Sequence, residues 1–164
     1  MYKLPAALFV LICAGLTLWW MNVGKFNGSE RNLFQRLEAV LADTPPSPHK
    51  IISEFRLPKE CGGKSCFFKG SKLADASYGG GDLRPTDDGL VFVLEKLAGQ
   101  CIRTEMAANR FGLSEVKQAC DHGGCWYREV RNDWGLLAFG LEKPESTCVS
   151  SVVINSLPYQ RRIY

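Results

Sequence analysis

A chain of 164 residues with a formal net charge of +3 has room for one ordinary domain. Its lysines and arginines are scattered among acids rather than gathered into a stripe, which argues against a nucleic-acid partner. If an apolar N-terminal stretch is set aside, roughly 115 to 140 residues remain, enough for one modest core.

Residues 4–23 carry no charged side chain and are rich in Leu, Ala, Val and Ile. As a helix rising about 1.5 Å per residue, such a run matches the roughly 30 Å hydrocarbon core of a bilayer. Trp19 and Trp20 near its far end and Tyr2 at its near end suit the headgroup zone. Pro5 falls in the first turn, where a missing N–H costs little. Ile12-Cys13-Ala14 is a poor signal-peptidase site, and the bulky Ile12 does not suit lipidation of Cys13. The expectation is an uncleaved transmembrane anchor over residues 1–25, with the lipid bilayer as partner through residues 4–23. Lys3 on one side and Lys25, Arg31 and Arg36, offset by Glu30 and Glu38, on the other leave the positive-inside rule nearly silent.

Residues 26–50 read as a juxtamembrane segment. Asn27-Gly28-Ser29-Glu30 resembles a capping box. Leu33, Phe34, Leu37, Val40 and Leu41 then recur at helical spacing up to Ala42. This amphipathic helix either packs on the domain, lies at the interface or offers its apolar face to a partner. Thr44-Pro45-Pro46-Ser47-Pro48 reads as a stiff, extended linker. Residues 51–164 form the main domain. Strands are expected over 51–57, 66–69, 90–95, 126–130, 136–141 and 149–155, from their β-branched and aromatic content. Helices are expected over 104–109 and from Ser114, as cap, to Ala119. The fold class is α+β: a transmembrane helix, then a mostly antiparallel sheet with one or two short helices.

Seven cysteines are present. Cys13 lies in the apolar run, and the other six, Cys61, Cys66, Cys101, Cys120, Cys125 and Cys148, form an even set. Behind an export-type segment, an even set reads as a disulfide framework in an oxidising compartment. Cys61–Cys66 is followed by Phe67-Phe68-Lys69, and Cys120–Cys125 by Trp126-Tyr127-Arg128. The segment from Gly89 to Lys96 is echoed from Gly135 to Lys143, with Cys101 and Cys148 trailing. The pattern suggests two tandem copies of a small α/β unit, about 51–109 and 110–157, the first with an insertion over 78–88. Each copy would own three cysteines, so full pairing needs at least one bridge between copies. The compact solution is Cys61–Cys66, Cys120–Cys125 and Cys101–Cys148, although other pairings stay open. The rival reading is a zinc site built from the two C-x4-C pairs, with His122 as a substitute ligand, in a reducing compartment.

Phe111-Gly112-Leu113-Ser114-Glu115-Val116, Trp126-Tyr127, residues 136–140 and residues 149–155 together resemble, in outline, small envelope modules of the SmpA/OmlA type and the duplicated β-lactamase-inhibitor fold. The resemblance spans about a third of the chain and implies binding of proteins rather than catalysis; it assigns no particular residue to a site.

Motifs for chemistry are sparse. His49 sits in the proline linker and His122 in a cysteine loop beside Asp121. No nucleophile elbow, zinc-protease helix, Walker loop or C-x-x-C pair is found. Gly79-Gly80-Gly81-Asp82 reads as a flexible turn rather than a phosphate cradle, and Asp82, Asp87 and Asp88 as an acidic surface loop rather than a calcium site. Binding residues are therefore sought on the insertion (Tyr78, Asp82, Arg84, Asp87, Asp88) and on the tail (Tyr159, Arg161, Arg162, Tyr164). The sequence points to a single-pass inner-membrane protein whose C-terminal domain binds a protein partner in the periplasm, without cofactor or metal. An inhibitor or immunity protein against an envelope-acting enzyme or toxin fits. An accessory subunit of an envelope complex and a hydrolase with a site formed only in three dimensions are the alternatives.

Overall fold

Leu33, Phe34, Leu37 and Val40 are wholly buried along one stripe of α1 (Gly28–Leu41), as their three- and four-residue spacing requires. The computed structural model describes residues 28–74, 76–118 and 125–158. α2 (Pro48–Phe55) starts where the Ser47 side chain accepts a hydrogen bond from the Lys50 N–H, with Pro48 in the first turn, where it forfeits no bond. It ends at Arg56 in the left-handed conformation and buries Ile51, Ile52 and Phe55. A 3-10 turn (Lys59–Gly62) leads to β1 (Cys66–Leu73), β2 (Ala76–Thr86), β3 (Gly89–Glu95) and the short β4 (Ala98–Gly99). α3 (Thr104–Phe111), β5 (Lys117–Gln118), β6 (Trp126–Asn132), β7 (Gly135–Leu141) and β8 (Ser151–Asn155) follow.

The strands make one antiparallel sheet in the order β1-β2-β3-β8-β7-β6-β5, with β4 on β2. Alternation along each strand sends every second side chain to the helical side. Register aligns Phe92, Ile154 and Leu137 in one inner row and Leu94, Val152 and Phe139 in the next, all with no exposed surface. The helices cover these rows with aromatic rings. Phe55 of α2 lies 5.0 Å from Phe92, Phe34 of α1 lies 6.4 Å from Phe139, and Phe111 of α3 lies 5.5 Å from Phe139. Arg110 of α3 donates to both carboxylate oxygens of Glu38 on α1, at 2.7 and 2.8 Å. That hydrogen bonding holds the Glu38 carboxyl below the usual carboxylate range.

Several expectations are corrected. The expected fold was a transmembrane helix followed by a sheet with one or two short helices in two tandem copies. Among the described residues there are three α-helices on one face of an eight-stranded sheet. No described helix is long and apolar enough to cross a membrane, and residues 4–23 and the capping Asn27 lie outside the described residues. The expected strand over 51–57 gives way to α2, which also takes Pro48 from the end of the expected 44–48 linker, because Ser47 and Pro48 are starting signals and Ile51, Ile52 and Phe55 fall on one helical face. His49 accordingly stands on that helix. The helix expected from Ser114 does not form. Ser114 instead donates its N–H to the Glu129 carbonyl and accepts from the Glu129 N–H, while Lys117 and Gln118 pair with β6. Tertiary pairing overrides a weak local preference.

The echoed segments beginning at Gly89 and Gly135 are β3 and β7, each third from its own edge of the sheet and each paired with β8. Gly89 (φ +152°) lies against the backbone of Ser156 and Leu157, and Gly135 (φ +153°) against that of Asn155 and Ser156, where a Cβ would collide. The supposed insertion over 78–88 is no loop but most of β2 and its turn.

Two disulfides join cysteines that both lie among the described residues, Cys61–Cys66 and Cys101–Cys148. The second reinforces a short ladder in which the Thr104 N–H reaches the Thr147 carbonyl at 2.8 Å and the Val149 N–H reaches the Ile102 carbonyl at 2.9 Å. It thereby ties the lead-in of α3 to the lead-in of β8. Cys125 is also disulfide-bonded; Cys120 lies outside the described residues.

Loop-closure entropy ranks the two bridges. Cys101 and Cys148 are 47 residues apart and Cys61 and Cys66 five apart, which gives about 4 and about 2 kcal/mol respectively. Denaturant unfolding of the Cys101→Ser/Cys148→Ser and Cys61→Ser/Cys66→Ser variants should show this order, and equal losses would contradict it. Phe92→Ala should cost about 3 to 5 kcal/mol in the same assay.

Candidate interaction surface

With all three helices on one side, the other face of the sheet carries the remaining strand side chains. Across β2, β3, β8, β7 and β6, register sets ten of them in two adjacent rows. One reads Asp82, Val93, Val153, Ala138, Glu129; the next reads Arg84, Val91, Asn155, Leu136, Arg131. Each row runs from a charge across a small or apolar floor to a like charge at the far side. Acids lie opposite acids and arginines opposite arginines. Within each flanking strand the two-residue spacing puts acid and arginine on one face, so they neutralise one another.

The β6 flank is the better bonded. Glu129 is 3% exposed. It accepts from Lys117 Nζ at 2.9 Å and from Arg131 Nε and Nη2 at 2.8 and 3.2 Å. Burial alone would raise its pKa, yet the hydrogen bonds and charges of Arg131 and Lys117 together hold it below the usual carboxylate value. On the β2 flank Asp82 is 6% exposed. Arg84 Nε lies against its Oδ2, which accepts no aligned hydrogen bond; its charge is compensated without a directional bond. Val93 and Val153 are half-buried, whereas Leu136, Ala138 and Asn155 are buried. Exposed on this face are Arg84, Lys117 and Arg131 at its flanks, and Phe67 and Glu95 beside the two half-buried valines.

Of the binding residues expected from sequence, Arg84 is exposed on this face, and Asp87 and Asp88 are exposed in the β2–β3 turn. Asp82 is buried in the β2 flank. Tyr78 is corrected to a core residue. It is 3% exposed, its ring stands edge-on to Phe68 at 6.0 Å, and burial raises its pKa. The glycines at 79–81 explain this. A Cβ on Gly81 would strike the Val93 carbonyl and the Phe68 ring, so the run permits close packing and a bend that turns Tyr78 inward. It is strand interior, not the expected flexible turn. Tyr159, Arg161, Arg162, Tyr164 and His122 lie outside the described residues. Glu129, Arg131 and Lys117 were missed by sequence reasoning, although the alternation Tyr127, Glu129, Arg131 along one strand carries the signal.

The zinc reading does not survive the Cys61–Cys66 bridge, since oxidised sulfurs cannot serve as thiolate ligands. Among the described residues no three His, Cys, Asp or Glu side chains gather around a metal-sized space. Two open depressions are also present, one of them at the Arg131 end of this face. One of about 330 Å³ borders Leu97, Lys143, Thr147 and Cys148, and one of about 610 Å³ borders Pro45, Arg131, Asp133 and Trp134. No histidine lines either.

The chain matches no family model, no curated protein and no solved structure.

Glu129 sets a pH dependence whose sign follows from its depressed folded-state pKa. The stabilisation is present at neutral pH and is lost as pH falls through the ordinary glutamate range, about 4.3, towards the lower folded value. Glu129→Gln should cost about 2 kcal/mol at pH 7, because two cations lose their shared acceptor. The gap between variant and wild type should shrink on acidification, as followed by urea unfolding at several pH values. A gap that widens below pH 4 would contradict the assignment.

Proposed function

We propose that this is a protein-binding domain of the bacterial cell envelope, held by residues 4–23 in the inner membrane with its folded part in the periplasm. In this reading it acts by occupying its partner rather than by catalysis, as an inhibitor or immunity protein against an envelope-acting enzyme would. The observation that carries the reading is the helix-free face, where cationic rims flank a small apolar floor. Arginine at the edge of an apolar patch is a frequent feature of protein interfaces.

Two further observations support it. The disulfides suit an oxidising compartment and fix the scaffold, so that little order need be gained on binding. A membrane tether would raise the local concentration of the domain where an envelope enzyme works. The likeness of residues 111–116, 126–127, 136–140 and 149–155 to small protein-binding envelope modules points the same way.

The test is a photo-crosslinking amino acid placed in living cells at Val153, on the floor, and at Gln35, on the outer side of α1. A discrete protein adduct from position 153 and none from 35 is expected, and Arg84→Glu should weaken it. Equal labelling from both positions, or none from 153, would sink the proposal.

A further inference from the structure

β1 is the outermost strand of the sheet, paired on one side only, with β2, among the described residues. It is eight residues long, and five of them, Phe67, Lys69, Gly70, Ser71 and Lys72, are exposed. A free edge of this length offers a row of backbone donors and acceptors to any extended chain that lies alongside. Phe67 is 88% exposed, the most accessible large apolar side chain described, and it is fixed next to the Cys61–Cys66 bridge. Its position two residues before Lys69 puts both on one face of the strand.

Charge decides what the edge accepts. Lys64, Lys69 and Lys72 are exposed along it, and none forms an ion pair among the described residues. Asp82, across from Phe67, is buried and compensated by Arg84. Lysines on an edge strand oppose pairing with a second copy, since two such edges would set cation against cation. The same lysines attract a strand of opposite charge.

We infer that β1 binds an extended acidic segment of the partner protein, which adds as a strand to the sheet and packs an apolar side chain on Phe67. This inference rests on the protein-binding reading above and names the chemistry of the partner. The backbone ladder supplies general affinity, Phe67 the anchor, and Lys64, Lys69 and Lys72 the selection for acidic residues.

The experiment titrates the purified full chain against a dye-labelled peptide alternating glutamate and valine, against its lysine–valine counterpart, and against phosphatidylglycerol vesicles. The acidic peptide should bind, with the basic one weaker by at least about tenfold. Phe67→Ala and the double change Lys69→Glu/Lys72→Glu should each weaken the acidic peptide by about tenfold or more, with circular dichroism and unfolding midpoint unchanged. Equal binding of both peptides, or indifference to these changes, overturns the inference. Vesicle binding that needs Phe67 and the lysines, without peptide binding, overturns it in favour of a lipid contact. Concentration-dependent dimers lost on the same changes, again without peptide binding, overturn it in favour of self-pairing. In cells, a crosslinker replacing Phe67 separates this inference from its parent. A partner captured from Val153 but not from position 67 removes the edge and leaves the protein-binding reading standing, whereas capture from neither removes both.

Discussion

The strand that comes last among the described elements sits in the middle of the sheet, and the rest of the fold depends on it. β8 is the only contact between β3 and β7 in the strand order. Without it the chain would be two meanders, each with an unpaired edge and half a core. Val152 and Ile154 are fully buried, and they complete the inner rows that receive Phe34, Phe55 and Phe111 from the three helices. Gly89 and Gly135 are fixed by the same constraint, because the chain leaving β8 passes too close for any side chain at either position. The Cys101–Cys148 bridge acts at the same place, since it holds the lead-in to β8 against the lead-in to α3. Such a design couples residues far apart in sequence, which slows folding but makes the finished domain one cooperative unit.

Placing β8 centrally also determines what the surface can be. One face of the sheet is consumed by helices, which leaves the other face and the edges to present exposed strand side chains. On that face the charged pairs are arranged so that carboxylates are buried and their cations reach outward. The outcome is a flank on either side whose accessible charge is positive, while Glu95, two residues from Val93, is exposed on the same face. The cationic flanks, the half-buried valines and the exposed Phe67 at the β1 edge are the features on which the protein-binding proposal rests.

Legibility from sequence followed the strength of local signals. α1 was readable because its four core residues keep strict helical spacing, and β3, β6 and β7 because their apolar and aromatic runs are bounded by turn residues. α3 was readable in part. α2 was hidden because Ile51-Ile52 looks like a strand when the Ser47-Pro48 start is read as linker. β2 was hidden because glycines, an aspartate and a proline hardly look like a central strand; its identity comes from neighbours Phe68 and Val93, which need its small residues. The cysteine arithmetic gave both described bridges, since short loops and one long tie are the compact solution. The echo between Gly89 and Gly135 corresponds in the fold to two strands that share one neighbour, β8. The Glu129 cluster escaped notice because it unites β5 and β6, whose pairing no local pattern announces.

The central claim is that β8 locks both halves into one unit, and native-state hydrogen exchange of the full chain tests it most directly. The amides of β3, β7 and β8 should be the slowest in the protein. They should share a single opening free energy equal to that of global unfolding, and lose protection together when Val152→Asp is introduced. If β8 instead exchanges freely while β1, β2 and β3 stay protected, the two halves fold independently and the account is wrong.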